Sequence, residues 1–480
     1  MTETAHAVRT ARRDCPECGE HLADGGRYVT WCTACDWNVD PEVRDETPPG
    51  RIERLRRRLA ERYGEQLIAD LAASGDLAAS DGLAASGGLS DPAGAADATP
   101  AAGAAGVADP AGGTVPGAVG GGTVRPRRGV AGGLAAALAV AVHGVTLALF
   151  SGGLWLVVAG WSTGLQPVLG ALLIALAVVL RPRFSRLPKD ESHRPVLRRA
   201  DAPRLFALLD DVAGTVGTTG VRAVVVDADV NASVSTYGIR QHRVLRIGLG
   251  LWQVLSPQER IALLGHEFGH YAHGDTRHSL LVGSAFHSLA TWRYTLAPAP
   301  AHTLMEHFVN LVTALPRLLV EGILILLEHL TLRGSQRAEY LADASAARTA
   351  GTEAAAGLMD RLLIAGDIAG ELRRESVAAQ TRIGGGTAAR REDPAAGLWE
   401  RLAAHAASVP EREYERLRRA AERRGHQVDS THPPTHLRRR LLMRGTPGGA
   451  LIVLDEARTS EVDTELAGAM QSVAREFIRR

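Results

Sequence analysis

The sequence predicts a mainly helical α+β protein: a helical domain around a small β-sheet, a transmembrane helical hairpin ahead of it, and a small four-cysteine module at the N-terminus. Three observations carry that prediction. All four cysteines fall between positions 15 and 35, and no Asp, Glu, Lys or Arg occurs from Gly129 to Leu180. Residues 266–270 read His-Glu-Phe-Gly-His within a stretch of helical periodicity. The 480 residues can hold several domains, and a net charge of +1 excludes a global bias toward nucleic acid or acidic partners.

The cysteines form two C-x-x-C pairs, Cys15-Pro-Glu-Cys18 and Cys32-Thr-Ala-Cys35. Each pair suits a tight knuckle, and together Cys15, Cys18, Cys32 and Cys35 suit tetrahedral zinc, so residues 1–45 read as a zinc ribbon. Two disulfides would need an oxidising compartment. Nothing else points to export: the first apolar run begins near residue 129, so no signal peptide is expected. The ribbon's partner is not written in the sequence, and the basic residues here do not make a nucleic-acid footprint. Residues 46–73 read as a basic amphipathic helix, solvated or packed on the ribbon. Residues 74–128, with their LAASGD-LAASDG-LAASGG repeat and Ala/Gly/Pro tract, lack the large apolar residues of a core and read as a flexible linker.

The uncharged stretch within residues 129–181 exceeds one membrane span and suits two. The expected break is Trp161–Pro167, with Ser151–Gly153 as a second option. Arg125, Arg127 and Arg128 flank one end; Arg181, Arg183, Arg186 and Lys189 flank the other. The positive-inside rule then puts both ends in the cytoplasm, which agrees with reduced cysteines. The expectation is a multi-pass cell-membrane protein in contact with the lipid bilayer, its ribbon and helical domain both cytoplasmic.

Residues 182–480 carry the chemistry. Arg222–Ala228 and Arg243–Leu249 read as short strands bracketing a loop with Asn231-Ala-Ser233. Ser256-Pro257-Gln258-Glu259 is a capping box with proline at the first helical position, and Gly274 is a stop signal. On the helix between them, His266 and His270 share a face and can hold one metal ion, with Glu267 beside its open position. His273 is a rival ligand. A third ligand is still needed, and Glu339 is the best candidate. Glu339 and Asp343 are four apart on a second helix, so one can reach the metal while the other accepts a hydrogen bond from a ligand histidine. Two further apolar stretches, Ser279–Trp292 and Phe308–Leu330, read either as a second, poorer hairpin or, preferred here, as helices packed on the domain near the bilayer surface.

HEFGHYAHGD at 266–275, followed by RAEYLADASAA from Arg337, resembles the HtpX-like membrane zinc metallopeptidases, a family that includes the Ste-type CAAX prenyl proteases. Asn231-Ala232, Arg181-Pro-Arg-Phe184 and His432-Pro-Pro-Thr-His-Leu-Arg438 also resemble family elements and fall in the right order. The likeness covers residues from about 130 to 480 and leaves out the ribbon and the linker. It implies a zincin-like metallopeptidase domain that hydrolyses peptide bonds in a peptide or membrane-protein substrate. His266, His270 and Glu339 would be zinc ligands, Glu267 the general base, and Asp343 the residue orienting a ligand histidine. His432 and Arg438 would stabilise the oxyanion. Asn231 would bind substrate beside Arg243–Leu249, taken as an edge strand. No lipid-substrate pocket is recognisable, so prenyl-peptide specificity does not follow. The alternative is a membrane-tethered, ribbon-based regulatory protein with an inactive protease-like domain. The intact set of ligands and base argues against it.

Overall fold

The structure is a computed structural model that describes residues 14–23, 25–41, 51–74, 130–159, 164–181, 193–238, 240, 242–273, 280–384, 393–424, 432–444 and 447–479. The Ala/Gly linker and Gly274 lie outside the described residues, as does the His273 side chain.

The sheet has four strands: β1 (Val196–Leu197), β2 (Ala223–Asp227), β3 (Ala232–Tyr237) and β4 (His242–Gly248), in the order β1-β2-β4-β3. β2 and β4 run parallel with Val225 opposite Arg246, and β3 pairs antiparallel to β4 with Val234 opposite Leu245. Two expectations are corrected here. The loop around Asn231 is largely strand, since small Ala, Ser and Thr residues can pair where no aliphatic run announces them. The strand at 243–249 is central, and β3 is the edge strand beside it.

Helices α4 (Pro203–Val216), α5 (Leu249–Trp252) and α6 (Pro257–His273) pack on this sheet around Phe206, Leu245, Trp252 and Phe268. Ser256 and Glu259 close the expected capping box on α6: the Ser256 amide donates to the Glu259 carboxylate at 2.7 Å and the Glu259 amide to Ser256 Oγ at 3.3 Å. The other helices of this domain are α9 (Thr352–Leu363), α10 (Ala365–Gly384), α11 (Leu398–Ala407), α12 (Glu411–Arg424), α13 (Thr435–Leu442) and α14 (Glu456–Arg479).

The expected hairpin is α2 (Val130–Ala159) and α3 (Leu165–Leu180). Helix α2 ends at Ala159 and α3 begins at Leu165, so the two helices are separated near the first of the two expected breaks. Ser151–Gly153 is helical, and Gly153 instead marks a crossing: a Cβ there would stand 2.8 Å from the Gly170 carbonyl of α3. Helix α7 (Leu280–Thr295) and the first half of α8 (Leu304–Ala350) join the hairpin in an apolar bundle cored by Ala139, Ala285, Leu289 and Leu327. Packing on the domain was the preferred of the two expectations for these stretches. They reach past it instead, because nothing in the domain covers Leu311, Leu315 or Leu318, each at least 66 % exposed. Helices α2 and α8 are long and apolar enough to cross a membrane. Helix α8 is unbroken over 47 residues, about 70 Å, through Pro316. Its second half, from Ser335, is buried in the domain.

The N-terminal amphipathic helix α1 (Arg51–Ser74) packs on α8 and α13 rather than on the ribbon. Leu67, Ile68 and Leu71 bury against Tyr340, Leu437 and Leu441, each contributing about 1.5–3 kcal/mol. Gln336 of α8 donates to the Ala60 carbonyl at 2.9 Å.

Candidate metal centres

Two groups of ligand atoms converge among the described residues: His266, His270, Glu339 and His432 in the helical domain, and the four cysteines. In each group all ligand atoms lie within 4.8 Å of one another.

The first group is built by α6 against α8. The helices meet through small residues: a Cβ at Gly269 would fall 2.7 Å from Ala342 Cα, and one at Gly265 would fall 3.1 Å from Ala346 Cα. Any larger side chain at Gly269 would push apart the helices that carry the ligands. At this separation His266 Nε2 and His270 Nε2 are 3.2 Å apart. Two nitrogens about 2.0–2.1 Å from a tetrahedral zinc are separated by roughly 3.3 Å, so the pair fits one ion. Glu339 adds Oε2 at 3.7 Å from His266 Nε2 and Oε1 at 3.7 Å from His270 Nε2. Its Oε2 is buried without a hydrogen-bond partner, as expected of an oxygen kept for a cation. His432, just ahead of α13, brings Nε2 to 3.6 Å from the same oxygen and is the most exposed of the four at 19 %. Glu267 is buried on α6 between the two histidines.

Behind the ligands, Asp343 is completely buried, with one oxygen 3.0 Å from His266 Nδ1. An ionised carboxylate only accepts, so it holds the proton on Nδ1 and leaves the Nε2 lone pair facing the centre. Arg438 grips Asp343 from the other side, with Nε donating at 2.8 Å and a terminal nitrogen at 2.6 Å. Burial alone would raise the Asp343 carboxyl, but the charge and hydrogen bonds of Arg438 outweigh it and hold the group well below the usual carboxylate range. Arg438, taken from the sequence as an oxyanion donor, therefore lies on Asp343, itself only 1 % exposed.

Asn231 is exposed at the start of β3, where its side-chain oxygen accepts from the Ala232 amide. The link from β3 to the metal helix is one that sequence reading missed: the Tyr271 hydroxyl donates to the Ser235 carbonyl at 2.8 Å. Tyr271 follows His270 directly, which is the signal that could have found it.

The cysteines form two knuckles with the same hydrogen bonds. Cys15 N donates to Glu20 O and Gly19 N to Cys15 O; Cys32 N donates to Trp37 O and Asp36 N to Cys32 O. All four cysteines are free thiols, with Cys15–Cys35 and Cys18–Cys32 sulfurs 3.5 Å apart. That is far beyond a disulfide and near the roughly 3.8 Å edge of a tetrahedral zinc–thiolate site. The Cys35 backbone amide, aided against burial by that of Ala34, pulls the Cys32 thiol down to about 7. Cys35, despite the Trp37 amide that favours its thiolate, is pushed up to about 12 by burial and the other sulfurs. Four sulfurs this close could all be ionised only with a cation between them.

The sequence profile of peptidase family M48 matches residues 200–444, from α4 to α13. The chain belongs to peptidase family M48. Within it, the chain is similar to the protease HtpX homolog of Pyrobaculum calidifontis, 30 % identical over 157 residues, which is 32 % of this chain and 44 % of that protein. The protease HtpX homolog of Pyrobaculum aerophilum is 28 % identical over 250 residues, half of this chain and 67 % of that one. The chain thus spans less than half the length of the first of these relatives. No solved structure matches. The M48 match covers α6, the long α8 and α13, and stops short of the ribbon, α1 and the α2–α3 hairpin.

Proposed function

We propose that this M48 chain is a membrane-anchored zinc endopeptidase. The observation that carries the reading is the convergence of His266, His270 and Glu339 from two helices onto one ion-sized point, with Glu267 on the same helix as the histidines. Zinc bound there would polarise a scissile carbonyl and lower the pKa of the attacking water to about 7. Glu267 would serve as the general base, accepting a proton from the attacking water and delivering it to the leaving amine. Asp343 holds the proton on His266 Nδ1, and Arg438 keeps Asp343 ionised and in place. His432, on the exposed side of the centre, donates to the developing oxyanion. The substrate is an extended peptide or a segment of a membrane protein. It lies along the edge strand β3, with Asn231 at the entrance. Residues 1–45 bind a second, structural zinc.

The apolar bundle sits in the lipid bilayer. The arginines flanking the hairpin hold its ends, the ribbon and the peptidase domain in the cytoplasm. Comparing fragments in membranes that carry wild-type or Glu267→Gln protein tests the reading. We expect fragments that depend on Glu267 while zinc content stays unchanged; full hydrolysis by the Gln variant would overturn the mechanism.

A further inference from the structure

The two knuckles differ at one equivalent position. The first has Gly19 at φ 76°; the second has Asp36 at φ 58°, a left-handed conformation that costs a side-chain-bearing residue more than glycine. The carboxylate explains the difference. Asp36 receives Arg419 at 2.7 Å and Arg423 at 2.9 Å from α12. Arg419 also donates to the Thr33 carbonyl, between the two cysteines of that knuckle, at 2.8 Å. Arg416 donates to the Val39 carbonyl at 2.8 Å, and Arg424 pairs with Asp40. Four arginines on one face of α12 thus grip the second knuckle and the residues just after it.

The other side of α12 leads to the peptidase centre along two routes. Arg418 makes a two-pronged bond to Asp360 of α9, and Asp360 pairs at 3.3 Å with Arg439, the neighbour of Arg438. The Tyr414 hydroxyl accepts from Arg361 at 2.6 Å, and Arg361 reaches Glu259, the capping residue of the helix that bears His266, at 3.5 Å. We propose that metal in the four-cysteine site controls the peptidase centre: it fixes the second knuckle, the knuckle holds α12, and α12 steadies the elements carrying Arg438 and His266. The inference rests on reading both clusters as metal centres. It assigns the ribbon an intramolecular task in place of recruiting a partner through this face.

The test uses the full chain in detergent or nanodiscs, with zinc content, amide exchange and peptide hydrolysis measured together. Cys32→Ser should cut bound zinc from two ions to one, speed amide exchange in Glu411–Arg424 and Thr435–Leu442 by about tenfold, and lower hydrolysis. Exchange in Pro203–Val216 should stay at its wild-type rate. If it also rises, the variant has unfolded, and the double variant Arg419→Ala with Arg423→Ala decides: two zinc ions retained, with faster exchange in both segments, supports the coupling. Loss of the ribbon zinc with exchange unchanged in both segments overturns it, as does a wild-type chain whose cysteines bind no zinc. A wild-type chain that binds two ions and cleaves nothing counts against the peptidase reading alone, and the exchange comparison still decides the coupling.

Discussion

The two ligand clusters achieve convergence by opposite means. In the helical domain the ligands are buried and pre-set: Gly265 and Gly269 bring two helices into contact, and a sealed Asp343–Arg438 pair fixes the histidine from behind. In the N-terminal module the ligands come from two short turns, with few apolar residues around them, and the module leans on half-exposed arginines. The first site is assembled by the fold, whereas the second, on the reading proposed above, would draw much of its order from the metal its cysteines hold. A rigid, dry site suits chemistry on a substrate, and a metal-dependent one suits structure or control.

The sharpest way to test the contrast is Glu267→Gln. It should lower peptide hydrolysis by about 10²–10⁴-fold while both metal ions remain, as read by turnover and metal analysis. Breaking the support comes next. Arg438→Ala leaves a buried carboxylate without its arginine counter-charge, and should cost about 3–5 kcal/mol in denaturant unfolding. Replacing the pair together, Asp343→Leu with Arg438→Met, should recover much of that stability without recovering activity. Gly269→Ala forces α6 away from α8 and should cost about 1–3 kcal/mol, with weaker zinc retention. The smallest effect belongs to the other cluster. Arg423→Ala removes one half-exposed ion pair and should change thermal stability by no more than about 1 kcal/mol. An equally large loss from Arg423→Ala and Arg438→Ala would erase the contrast.

What could be read from the sequence follows the range of each interaction. The spacing of His266 and His270, the capping box and the i,i+4 relation of Glu339 and Asp343 are local, and local periodicity exposes them. The Arg438–Asp343 pair spans 95 residues, and Arg438 sits in a run of three arginines that reads as a solvated face. The α12 sequence EREYERLRRAAERR misleads in the same way: its arginines look like surface charge, yet four of them bind the ribbon. Strand β3 was hidden because ASVSTY carries too few large apolar residues to stand out. The break between the two apolar helices was legible in the sequence. The crossing at Gly153 and Gly170 was not, since it depends on which faces meet.

The 47-residue α8 also imposes an order of events on the growing chain. His266 and His270 are made before the apolar excursion through α7 and the first half of α8, and Glu339 only after it. The centre closes when the chain has gone out along that bundle and come back. On the reading proposed above, insertion of that bundle would precede completion of the ligand set, and a nascent chain that ends before Glu339 would carry His266, Glu267 and His270 without the third proposed ligand.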